Sequence, residues 1–122
     1  MGERALEGQE LLDAVTASMV SLHAEHHHRE PLTAKSQLLG DGLLVSVLGG
    51  VYTEVEKTMI ELEGQPLVRE TRSTFVRAVE RRFIQEVEAL SGRRVVGFMS
   101  DSHVGPDLEV LVFVLDGSDH PG

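Results

Sequence analysis

Hydrophobic positions recur every three or four residues from Leu67 to Leu90. Leu67, Thr71, Phe75, Val79, Phe83, Val87 and Leu90 form a stripe that Val68, Val76 and Ile84 widen. That period predicts one long helix with a single buried face. Pro66 fits the first helical position, where its missing N–H would have had no partner anyway, and Gly92 fits the left-handed residue that ends a helix. After Gly92 the period falls to two. Arg94 to Ser102 reads as a strand, His103 to Asp107 holds the turn pair Gly105-Pro106, and Leu108 to Leu115 reads as the returning strand. Both faces of that last strand are apolar, with Leu108, Val110, Val112 and Val114 on one and Leu111, Phe113 and Leu115 on the other. Such a sheet needs a cover on each side.

The same reading applied upstream predicts a first helix from Ala5 to about His28, starting near Gln9 because Gly8 weakens the first turn. Its stripe of Leu12, Val15, Met19 and Leu22 is narrow, which suits a helix meeting another helix and makes it a candidate for pairing between subunits. Pro31 stops it. Thr33 to Leu39 and Leu43 to Leu48 then read as strands around Gly40-Asp41-Gly42, a turn whose glycines accept positive φ. Thr53 and Glu56 are spaced as a capping box for a short helix from Glu54 to Leu62, and Gly64 separates it from the long one.

The resulting order, α-ββ-α-α-ββ, predicts an α+β fold: a four-stranded antiparallel sheet from two hairpins, with the long helix packed across one face. The first helix or a second copy of the chain covers the other face. Residues 1–116 are expected to form a single domain, and residues 117–122 read as a disordered Gly/Pro tail.

Composition narrows the function. The 122 residues are 41% hydrophobic and contain no cysteine, which suits one domain with its own core and excludes thiol chemistry. A formal charge of −9 argues against a nucleic-acid partner. Seven of the eleven Lys and Arg residues lie between Arg69 and Arg94. Most read as a solvated helix face, with Arg77/Glu80 and Arg82/Glu86 spaced for pairs along the helix. Arg72 differs because it falls inside the apolar arc, where it either snorkels or holds a carboxylate of another element or subunit. No apolar run approaches the roughly 18 residues of a membrane span, so direct membrane insertion is not expected. Met1-Gly2-Glu3-Arg4 lacks the layout of a secretory signal, and a cytoplasmic location is the expectation.

Two clusters invite a chemical reading. His23 and His27, four apart on the first helix, have the spacing of a metal-chelating pair, although no third or fourth ligand is marked by spacing. The competing reading is a polar helix end whose histidines suit the negative end of the helix dipole. Asp101-Ser102-His103 is the densest polar cluster, but neighbours along a strand point to opposite faces and do not build a triad. Turn chemistry suits it better than an enzyme built on Asp101 and His103.

Taken together, His23-Ala24-Glu25-His26-His27-His28-Arg29-Glu30-Pro31, Ala34-Lys35, Leu43 to Gly50 and Tyr52-Thr53-Glu54-Val55-Glu56-Lys57 resemble the MpsC-type family of small bacterial proteins. The long helix, Leu90-Ser91-Gly92, Ser100-Asp101 and the last apolar strand ending in Asp116 fit the same pattern. The family usually carries a Gly-Arg-Gly-Pro turn where this chain has His28-Arg29-Glu30-Pro31, which keeps Arg29 and Pro31 but not the glycines; if the glycines serve close backbone approach to a ligand, that function is not expected here. The family is named for the soluble component of a membrane-potential-generating system. The resemblance implies an accessory role beside membrane proteins that couple inorganic-carbon uptake or cation movement to membrane potential.

The expectation is therefore a non-enzymatic, cytoplasmic, homodimeric accessory or regulatory protein with no cofactor and with a membrane-transport protein as a partner. Arg29, Pro31, Lys35, Arg72, Asp101 and His103 are its candidate ligand or partner contacts. The alternative is a small-anion or metal-binding sensor, with Arg29, Lys35 and Arg72 as anion contacts or His23 and His27 as metal ligands.

Overall fold

The computed structural model describes residues 5–27, 30–62, 64–103 and 105–117, with the side chains of 65 and 75 left aside. The elements are α1 (Gly8–His27), β1 (Thr33–Leu39), β2 (Leu43–Gly49), α2 (Glu54–Glu61), α3 (Gln65–Ser91), β3 (Val95–His103) and β4 (Leu108–Leu115). The fold is α+β, as the periodicity predicts. All the strand pairs are antiparallel, in the order β1-β2-β4-β3, so each hairpin contributes one central and one edge strand.

The local signals act where they were read. Thr53 Oγ1 accepts the Glu56 N–H, while the Glu56 carboxylate accepts the Thr53 N–H, which completes the capping box of α2. Pro66 lies in the first turn of α3, and Gly92 ends it at φ 69°, with its N–H bonded to Glu88 O. A side chain at Gly92 would also bring Cβ to 2.8 Å from that of Ala5.

Both α1 and α3 lie on the same side of the sheet, which corrects the expectation about α1. Its stripe, Leu11, Val15, Met19 and Leu22, is buried within the chain against α3, β1 and β2 and is not left for another subunit. The buried line of α3 is also turned by one residue in its first half. Val68, Arg72 and Val76 face inward, while Leu67 is 54% exposed and Thr71 faces solvent. The rotated arc places Arg72 beside the Glu56 and Glu109 carboxylates.

The inner sheet face joins Leu44, Leu48, Leu111, Phe113 and Leu115 to the helices. Phe98 tilts against Phe113 at 5.1 Å between ring centroids and stacks towards Phe83 of α3 at 6.3 Å. Truncating Phe113, which is wholly buried, to alanine would cost about 3–5 kcal/mol. Towards α1 the inner face carries hydroxyls: Thr16 Oγ1 lies 2.7 Å from Ser36 Oγ, which is 2.8 Å from Ser46 Oγ. Each buried hydroxyl thus has a partner.

Among the described residues no helix lies over the outer sheet face. Val45, Val110, Val112 and Val114 are only partly covered there, and Val47 and Met99 are exposed. The central strands are apolar on both faces, as their sequence pattern predicts, but among the described residues the chain supplies a cover for one side alone.

Candidate functional site

Among the described residues Arg72 of α3 is the largest fully buried side chain, 1% exposed, and three other elements meet it there. The α3 line Val68-Arg72-Val76 aims it inward. The capping box of α2 brings Glu56 to meet it, the last turns of α1 bring His23 and His27, and β4 presents Glu109 in phase with Leu111, Phe113 and Leu115.

The guanidinium fork grips Glu56 through two bonds, Nε to Oε2 at 2.7 Å and Nη2 to Oε1 at 2.5 Å. Nη2 also donates to Val51 O at 2.6 Å. Nη1 lies 3.4 Å from His23 Nε2 and 3.7 Å from Glu109 Oε2, and the charge sits 5.0 Å from the centre of the Tyr52 ring. All three guanidinium nitrogens therefore face acceptors, and the ring adds a cation–π contact. A planar fork suits this arrangement in a way that a lysine ammonium does not.

Tyr52 and Asp107 tie this centre to the turn between β3 and β4. The Asp107 carboxylate accepts the Val51 N–H at 2.9 Å and the Tyr52 N–H at 3.0 Å, while Tyr52 Oη donates to His103 O at 2.9 Å. Gly105-Pro106 within that turn is a cis peptide. Asp107 thus reaches across the fold where a purely local turn role was expected.

The acids of this centre behave differently. Burial works to raise the pKa of Glu56, but hydrogen bonds from Arg72 and Thr53 outweigh it and hold the carboxyl below its ordinary value. Burial pushes that of Glu109 up, and the more distant Arg72 offsets only part of this. Glu109 Oε2 has no hydrogen-bond partner among the described residues. His27, its ring tilted against that of His23 at 4.4 Å between centroids, is held down to about 4, first by burial and then by the Arg72 charge.

This centre can hold charge in place, because its groups are turned on one another. The histidine pair sits beside a guanidinium, which repels a cation, and no cluster of three metal-ligating side chains occurs among the described residues.

The other candidates lie elsewhere. Lys35 and Asp101 occupy the same row of the sheet on its outer face but belong to opposite edge strands, about 14 Å apart at ordinary strand spacing. Asp101 pairs with Arg69 of α3 at 3.3 Å and caps the Ser102 N–H. His103 Nδ1 lies 3.0 Å from Pro106 O. Ser102 is buried on the inner face, away from both. Pro31 is half-buried before β1, and Arg29 lies outside the described residues. Arg72, Lys35 and Asp101 therefore do not converge on one ligand. On the basic face of α3, Arg82 reaches Glu25 of the neighbouring helix α1 at 2.9 Å, and the Glu86 charge adds a weaker attraction along α3 itself.

Glu109 and Tyr52 escaped the sequence reading as members of a site, and Asp107 entered it only as a turn residue. The signal for Glu109 was present: it is an acid in phase with the inward side of an apolar strand, in a chain that also has an arginine in the apolar arc of a helix.

Fold and site together define an α+β protein with a single-sided sheet and a buried ionic centre joining its layers. The chain belongs to the family described as Na+-translocating membrane potential-generating system (MpsC), whose profile matches residues 8–117. Neither a curated protein nor a solved structure matches it.

Proposed function

We propose that this chain is a non-enzymatic, cytoplasmic accessory protein of a Na+-translocating membrane-potential-generating system and that it works as a homodimer beside membrane-embedded partners. Family membership over residues 8–117 carries the reading. No helix among the described residues is long and apolar enough to cross a membrane, so the translocation path belongs to other chains in this reading. A structural role for the polar groups is supported by Arg72, which is bound to Glu56 and Val51, and by Asp107, which is bound to backbone. The open apolar sheet face supports assembly. Inorganic-carbon transport as the linked process rests on the family resemblance alone.

The test is the Na+-dependent membrane potential of host cells lacking the gene, read with a potential-sensitive dye. A potential that falls and is restored by the wild-type gene supports the reading. An unchanged potential overturns it. The sensor alternative is less favoured because two of its anion contacts, Lys35 and Arg72, sit on different faces of the sheet and its histidines adjoin Arg72.

A further inference from the structure

The outer face of the sheet carries a pattern that becomes complementary when the sheet is turned over on itself. The strand registers place Lys35, Val47, Val110 and Asp101 in one row across β1, β2, β4 and β3. Paired residues of an antiparallel sheet point to the same side, so this row has an apolar middle and opposite charges at its ends. Two rows away, Leu39, Leu43, Val114 and Gly97 form another. It has a large exposed side chain at one end and none at the other.

We propose that two copies stack these faces about a two-fold axis that runs along the strands between β2 and β4. Deepening the homodimer reading, the inference commits to a second copy as the occupant of the face. The axis exchanges the ends of each row. Lys35 meets the partner's Asp101, Val47 meets the partner's Val110, and Leu39 meets the partner's Gly97, where no side chain stands in its way. A two-fold running across the strands also stacks these faces with their strands aligned. It lays β1 on β1, and with the axis on the charged row it sets Lys35 against the partner's Lys35.

Two details favour the first arrangement. A dimple of about 330 Å³ lies at the Asp101 end of the row, lined among others by Val47, Val110 and His103. The aliphatic stem of the partner's Lys35 passes over it. Among the described residues, Asp101 accepts from Arg69 and from the Ser102 N–H through Oδ1, which leaves Oδ2 to face the partner's ammonium. Sheets packed this way lie about 10 Å apart with strands within about 30° of alignment, which a two-fold along the strands permits.

Sedimentation equilibrium on the untagged full chain at micromolar concentration tests the inference, with circular dichroism checking that each variant folds. Wild type is expected to be a dimer. Lys35→Glu and Asp101→Lys each weaken association by about tenfold or more, and the double exchange brings it back towards wild type. Val45→Lys, at the centre of the face, gives a folded monomer. A wild-type monomer overturns both this inference and the homodimer reading, and leaves the face to a different partner. A wild-type dimer that is indifferent to both charge reversals and to Val45→Lys overturns the sheet-on-sheet geometry while the homodimer stands.

Discussion

Arg72 and Glu56 are joined by a two-pronged ion pair, and the same Glu56 carboxylate caps the helix that carries it. One side chain thus fixes where α2 begins and where α3 sits against it. The two roles fail together.

Glu56→Gln is expected to destabilise the protein by about 3–5 kcal/mol, because it leaves a guanidinium charge in the core with its nearest counter-ion gone. Adding Arg72→Met should recover part of that loss. Urea melts of the two single variants and the double variant check this, and strictly additive losses would mean that the pair is not coupled in the way its geometry implies.

Glu109 should give the opposite result. Its carboxyl is raised, so it adds stability at low pH, and that stability fades as pH climbs through the folded value. Glu109→Gln removes the penalty of ionising a buried acid whose Oε2 has no hydrogen bond among the described residues. Thermal melts at pH 8 should place the variant level with wild type or above it. A large drop would show that the 3.7 Å approach to Arg72 outweighs burial.

The sign reverses for His27. Its folded pKa of about 4 lies below the ordinary 6.5, so between these values the unfolded chain binds a proton that the folded chain refuses. Stability should fall as pH drops through that window. The groups facing the ring are Arg72, His23, Glu56 and His26. With the ring half-exposed, the effect is expected to be about 1 kcal/mol. In His27→Gln the slope between pH 6.5 and 4 should flatten, and an unchanged slope would assign it to other groups.

Asp107→Ala removes the acceptor for two backbone N–H groups and should cost about 2 kcal/mol. Asp107→Asn keeps one acceptor oxygen and should cost about half as much. Amide exchange at Val51 and Tyr52 offers a local readout, since both should lose protection in the alanine variant before the rest of the sheet does.

Much of the fold was legible because its signals are local. Pro66, Gly92, Thr53 with Glu56, and the alternation from Leu108 to Leu115 each act within a few residues, and each was read in place. The centre around Arg72 was legible only in part. The helical period places Arg72 inward, and the strand period places Glu109 inward. Their meeting depends on β4 lying beside β2 and under α3, and no short-range pattern contains that information. The long-range bonds from Asp107 to the segment after β2 are hidden for the same reason. The burial of α1 was misread because a narrow stripe suits a helix of the same chain as well as one from another chain.

The strand order has a kinetic consequence. Each hairpin closes over a handful of residues and can form within microseconds, but β2 and β4 pair only when about sixty intervening residues have been looped out. Joining those two strands unites the halves of the sheet, so this step should limit the folding rate. During synthesis β2 leaves the ribosome long before β4. Until β4 follows, its strongly apolar edge has no mate, and in that interval the nascent chain is most open to aggregation or chaperone capture.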